Sequence, residues 1–175
     1  FNQTDGYTGQ YTILGNLGSP RINRIFMNRE EADNFIFVQP FSHFRNSLTD
    51  FRFTNTKSPI TNLAYHKLGS NQRGEDRLRA YFATNINKLT GIGFKLDYLY
   101  GRGYYNSQQN SMFGASVYGY HRGERYNMHA YFNANHMKMA ENGGIENDNY
   151  IEDPQSFQNN YTSIDIPVML ASTWN

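Results

Sequence analysis

From about residue 48 onward, apolar and polar positions alternate with period two, the pattern of strands that present one apolar face, and the runs are long. In Arg77 to Asn87, Leu78, Ala80, Phe82, Thr84 and Ile86 share one face. Arg77, Arg79, Tyr81, Ala83, Asn85 and Asn87 share the other. The next run sets Ile92, Phe94, Leu96, Tyr98 and Tyr100 against Gly93, Lys95, Asp97, Leu99 and Gly101. Between them Lys88-Leu89-Thr90 reads as a three-residue hairpin connection, with Gly91 supplying the positive φ of its bulge. That register predicts Leu78 opposite Tyr100, Ala80 opposite Tyr98, Phe82 opposite Leu96, Thr84 opposite Phe94 and Ile86 opposite Ile92, with Arg79 diagonal to Asp97.

A second hairpin is predicted over Met112 to Lys138. With Arg122-Gly123 as a two-residue turn, Phe113 meets Phe132, Ala115 meets Ala130, Val117 meets Met128 and Gly119 meets Tyr126. The opposite face then collects Tyr118, Tyr120, Arg125, Asn127, His129, Tyr131, Asn133 and Asn135. A last strand is predicted over Ile164 to Trp174, with Pro167 at a bulge, strand start or edge. Fainter strands are expected at Thr49 to Thr54 and Ile60 to Lys67. Residues 1–47 form a poorly periodic N-terminal segment, with short strands at Tyr11 to Leu17 and Phe35 to Val38 and a helical turn or loop over Arg21 to Ala32. Residues 48–175 form the strand region.

Connections alternate: Asn55 to Ser58, Lys88 to Thr90 and Arg122-Gly123 are short, whereas Leu68 to Glu75, Tyr105 to Asn110 and Met139 to Thr162 are longer. Short turns at one end of a sheet and long loops at the other are the habit of outer-membrane barrels. Period two alone also fits a soluble barrel or sandwich whose apolar face points inward. Strand length favours the membrane, since a spanning strand needs about 9 to 11 residues against about 5 to 6 in soluble sheets. So do polar faces that mix charges, His, Asn and Tyr, and apolar faces that end in Tyr98, Tyr100, Tyr126 and Trp174, as an interfacial girdle would.

Composition narrows the classes further. Lys+Arg 16 against Asp+Glu 15 leaves a net charge of +1 without a basic cluster, so nucleic acid is not an expected partner. The absence of Cys excludes disulfide scaffolds, thiol enzymes and Cys-ligated zinc. Tyr 14, Phe 13 and Trp 1 are many rings for a mean hydropathy of -0.73, so the question becomes which way they face. No apolar run is long enough for a membrane helix. The chain starts at Phe1 without an initiator Met or leader, as a mature product or a piece of a longer chain would.

The strings Tyr11 to Pro20 (YTILGNLGSP), Asp50 to Leu63 (DFRFTNTKSPITNL), Asn85 to Lys88 with Tyr98 to Gly103 (NINK, YLYGRG) and Asn142 to Tyr150 (NGGIENDNY) together resemble the putative porin family of Bacteroidota outer membranes. The similarity runs from about residue 7 to 174. It implies an outer-membrane location and a barrel fold more firmly than it implies transport. Members of that family are much longer, which implies that this chain is a fragment whose eight or so strands need not close alone.

The expected fold is therefore all-β, an antiparallel up-and-down barrel of the outer-membrane type or an incomplete set of its strands. Arg77, Arg79, Lys95, Asp97, Arg125 and His129 are the candidate lumen-lining residues, because rings of charge on a channel wall set ion preference. No catalytic constellation, metal site or cofactor is expected. His129 and His136, seven apart, fall on opposite faces of a strand. The acids Glu141, Glu146, Asp148, Glu152 and Asp153 lack the EF-hand spacing and read as a solvated loop. Gly101-Arg102-Gly103 lacks the helix start of a phosphate loop. The expected function is passive diffusion of small hydrophilic solutes. The alternatives are an outer-membrane structural or accessory subunit with a plugged barrel, and a soluble ligand-binding barrel. Expected partners are the lipid bilayer and lipopolysaccharide, with an outer-membrane protein complex or a homo-oligomer also open.

Overall fold

The computed structural model describes residues 9–13, 15–29, 36–46, 51–69, 74–103, 105–157 and 166–170. Two short strands, β1 (Tyr11–Ile13) and β2 (Arg21–Asn23), pair antiparallel. Then come β3 (Ile60–Leu68), β4 (Glu75–Asn85), β5 (Thr90–Arg102), β6 (Gln109–Arg122) and β7 (Asn127–Ala140), an antiparallel meander in sequence order. The meander strands are 9, 11, 13, 14 and 14 residues long, lengths suited to a membrane span. Among the described residues the sheet does not close into a ring. A short helix, α1 (Asn149–Glu152), follows in the long loop. Connections 86–89 and 123–126 lie at one end of the sheet, and 69–74, 103–108 and the loop after β7 lie at the other.

Both hairpins keep the predicted faces but not the predicted partners. In the first, Leu78 pairs with Tyr98, Ala80 with Leu96, Phe82 with Phe94 and Thr84 with Ile92, and Arg79 lies directly opposite Asp97. The turn explains the slide. Asn87 Oδ1 accepts hydrogen bonds from the backbone N–H groups of Leu89 and Thr90, both at 2.8 Å, closing a tight turn one residue early. Ile86 N–H and Asn87 N–H then both donate to Thr90 O, a bulge that leaves Ile86 beyond the last ladder pair. Gly91 has no positive φ. It is needed for space, because a Cβ there would lie 2.6 Å from the Tyr120 ring.

In the second hairpin the turn has two central residues, as expected, but they are Glu124 and Arg125, closed by Gly123 N–H donating to Tyr126 O at 3.0 Å. Val117 therefore faces Phe132, Phe113 faces His136, and Ser116 faces Asn133. This register lets Ser116 Oγ donate to Asn133 Oδ1 at 3.0 Å, which the predicted one would not.

The N-terminal segment departs further from expectation. The strand predicted at Tyr11 to Leu17 stops at Ile13; of the helical turn or loop expected over Arg21 to Ala32, Arg21–Asn23 is instead a strand, Phe26–Asn28 is a 3-10 turn, and residues 30–32 lie outside the described residues. Arg21 stacks its guanidinium 3.9 Å above the Tyr11 ring, and Arg24 N–H donates to Gln10 O, which holds the pair together. Ile36–Phe44 is a 3-10 helix, not the strand predicted at Phe35 to Val38. Its three-residue period brings Phe41 and Phe44 to the same side, against Leu17, Leu99 and Met112. Of the strand expected at Thr49 to Thr54, residues 49 and 50 lie outside the described residues and 51–54 form no strand; Phe51 and Phe53 insert their rings against the sheet instead. Of the predicted Ile164 to Trp174 strand, residues 166–170 show a single bridge, Ile145 with Val168, and the rest lies outside the described residues.

The two faces of the meander differ sharply. On the outer face, Leu63 and Phe132 are 69% exposed and Val117 is 56% exposed, with Ile92, Phe94 and Tyr98 also open. On the inner face, Leu99, Ser116, Tyr118 and Tyr120 are buried, because the N-terminal segment lies over them. The apolar face looks out and the polar face is covered over β5 and β6, the reverse of a soluble barrel.

Candidate functional site

The inner face is the candidate site. Its rows follow from the registers. From the loop end, Glu75, Gly101 and Asn110 are neighbours, then Arg77, Leu99 and Met112, then Arg79, Asp97 and Gly114, then Tyr81, Lys95 and Ser116. Towards the turn end come Ala83, Gly93 and Tyr118, then Asn85, Gly91 and Tyr120.

The rows interlock. Tyr118 and Tyr120 lie across the adjacent strand on Gly93 and Gly91, where any Cβ would lie within about 2.6 Å of their rings. Their hydroxyls reach one strand further: Tyr118 Oη shares a hydrogen bond with Tyr81 Oη at 3.1 Å, and Tyr120 Oη donates to Asn85 Oδ1 at 3.0 Å. Glycine on β5 thus makes a groove that tyrosine on β6 fills, tying β4, β5 and β6 together.

The N-terminal segment is fastened at three levels. At the loop end, Leu17 N–H donates to Glu75 Oε1 at 2.7 Å, Asn16 Nδ2 donates to Gly101 O at 3.3 Å, and the Asn16 and Asn110 carboxamides lie together. Midway, Asn46 Nδ2 donates to Ser116 Oγ at 3.3 Å, and Asn133 Nδ2 donates to Asn46 O at 2.8 Å. Nearer the turns, Phe51 packs on Tyr118 and Tyr131 with ring centroids 5.1 and 4.4 Å away, and Phe53 packs on Tyr118 and His129 at 5.4 and 5.1 Å. Thr54 hydrogen-bonds Tyr81, and Asn85 Nδ2 donates to Asn55 Oδ1 at 2.7 Å.

Of the six candidates, the structure joins Arg77 and Asp97. Arg77 Nε donates to Oδ1 at 3.0 Å and Nη2 to Oδ2 at 2.8 Å, a bidentate pair with side chains only 9% and 11% exposed. Arg79, opposite Asp97 in the ladder, is exposed, and Lys95 is half-buried between Tyr81 and Ser116 in the row. His129 faces Tyr120 across the β6–β7 ladder and packs on Phe53. Arg125 sits in the turn rather than on the strand face, because the turn is centred two residues later than predicted. His136 pairs with Phe113 on the outer face, opposite in facing to His129.

Sequence reasoning missed the covering segment, above all Asn16, Asn46, Phe51 and Phe53. It also missed the groove, although a signal existed: Gly91-x-Gly93 on one strand and Tyr118-x-Tyr120 on the next share one spacing and one face.

This is an all-β protein built on an antiparallel up-and-down meander with its apolar side turned outward. The chain belongs to the putative porin family, whose model matches residues 1–175. No curated protein and no solved structure matches it.

Proposed function

We propose that this chain is a sector of an outer-membrane β-barrel through which small hydrophilic solutes diffuse passively, in contact with bilayer lipid and lipopolysaccharide. The observation that carries this is the uncharged outer band. On β5 it runs from Thr90 to Tyr100, about 34 Å along the strand at roughly 3.4 Å per residue. At a tilt of about 40° that spans about 26 Å, against a lipid-facing band of about 25 Å in such barrels. Lys67, Asp76 and Lys138 share the row of Tyr100 at its loop end, and Arg102 lies beyond it. Porin-family membership supports the same location. Five strands are fewer than the roughly eight of the smallest barrels, and unpaired ladder edges are not tolerated in hydrocarbon, so this reading requires further strands beside β3 and β7.

Reconstitution of the full-length protein into planar bilayers tests the reading: discrete conductance steps are expected. Recovery in buffer without detergent, and no insertion into vesicles, would refute it. A second reading, a structural subunit with a plugged lumen, draws support from the segment fastened across the inner face. Stable insertion without conductance would favour it.

A further inference from the structure

Cations are expected on a channel wall, but this wall spends its best-placed one. Arg77 is closed onto Asp97, and the rows around it lie under the N-terminal segment. A solute passing the inner face would meet the far side of that segment, so the residues it exposes there decide what the solute encounters.

Two anchored stretches fix which residues those are. Asn46 is buried and bonded to Ser116 and Asn133, whereas its neighbour Arg45 is exposed. Phe51 and Phe53 both press on Tyr118, so in the extended chain between them Arg52 must project the opposite way, and it is exposed. Lys57 is exposed further along. Residues 36–46 and 51–57 hold no acid, and Asp50 falls outside the described residues. Both Arg45 and Arg52 are exposed, and neither has a side-chain partner among the described residues.

We propose that residues 36–46 and 51–57 form an internal strap of the channel and that Arg45 and Arg52 on it, more than the wall cations, set the charge preference of the path towards anions. This rests on the channel reading above. Over its described residues the strap sets charge of one sign across a wall of mixed charge, and its field weakens as salt screens it over about 10 Å at 0.1 M.

The test uses the full-length protein in planar bilayers under a low-salt gradient. Wild type is compared with Arg45→Glu/Arg52→Glu and with the wall pair Arg79→Glu/Lys95→Glu. The expected result is a wild-type reversal potential on the anion side, a shift towards cations in the strap variant, and a smaller shift in the wall variant, all shrinking at high salt. If the glutamate variant does not insert, Arg45→Gln/Arg52→Gln should still shift the potential in the same direction. A wall shift as large as the strap shift, or no strap shift, overturns the proposal. Placement is tested separately, because the chain has no native cysteine. Asn46→Cys with Ser116→Cys should be bridged by a short bifunctional thiol reagent, and failure to bridge in the inserted protein overturns the strap. A cysteine variant that inserts and bridges, together with a wild type that inserts but does not conduct, refutes the channel reading and the selectivity inferred from it, and leaves the strap as a plug.

Discussion

Replacing Phe94 with arginine puts a charge in the middle of the outer band and so tests the facing of the whole sheet. Phe94 is the second outward residue after Thr90, close to the midpoint of the uncharged stretch that ends at Tyr100. An arginine on the lipid face near mid-bilayer costs roughly 2 to 4 kcal/mol. Phe94 also stacks on Phe82 with centroids 5.6 Å apart at 27°, and such ring pairs contribute about 0.5 to 1.5 kcal/mol beyond area burial. Phe94→Arg should therefore destabilise the inserted protein by about 3 to 5 kcal/mol. Two controls bracket the argument. Ile86→Arg, past the last ladder pair, lies where the penalty falls to about 0 to 1 kcal/mol. Asn62→Arg, on the inner face of β3 and exposed, should stay within about 0.5 kcal/mol. The assay is urea unfolding of the full-length protein in vesicles, comparing midpoints at unchanged slope. Equal losses at Phe94 and Asn62 would refute the facing, and a neutral Phe94→Arg would refute the contact with lipid.

The remaining expectations concern the inner face and the topology. Gly93→Ala should cost roughly 1 to 3 kcal/mol in the same assay, since its Cβ would sit 2.5 Å from the Tyr118 ring and 2.6 Å from Phe82 O; Gly119→Ala, whose nearest neighbour would be Ile92 at 3.7 Å, should be tolerated. Arg77→Ala strands the Asp97 carboxylate and should destabilise by roughly 3 to 5 kcal/mol, whereas Arg79→Ala should move the midpoint little. In whole cells an impermeant thiol label should reach Glu146→Cys in the long loop and spare Leu89→Cys at the turn end until the outer membrane is opened; labelling of Leu89→Cys in intact cells would invert the topology.

Which face each strand residue takes was legible in the sequence because side-chain facing repeats with period two. Leu78, Phe82, Phe94 and Val117 all lie where the alternation puts them. Partner identity was not legible by the same logic. A slide by an even number of residues preserves every face, so matching apolar faces cannot tell Phe82 opposite Leu96 from Phe82 opposite Phe94. What decides is local: the Asn87 side chain capping its own turn, and Gly123 acting as a flank rather than a turn centre. Both are single-residue effects with no periodic signature.

The candidate site was less legible than the sheet, and the reason is physical. Wall residues announce themselves by alternation, whereas a segment lying across a wall is held by isolated contacts. Asn46 bonds to β6 and β7 from 70 and 87 residues away, and nothing in its neighbourhood of sequence distinguishes it from any loop asparagine. The excess of rings did carry a hint. If all of them faced lipid, the inner face would be small and polar; instead Tyr81, Tyr118, Tyr120 and Tyr131 fall on the polar side of the alternation. An open aqueous lumen gives such rings little to pack against. They are better served by a segment that brings Phe51 to Tyr118 and Tyr131, Phe53 to Tyr118, and Thr54 to the Tyr81 hydroxyl, as this one does. A tyrosine-rich inner face is thus itself a sign that something covers it, and here the cover comes from the same chain.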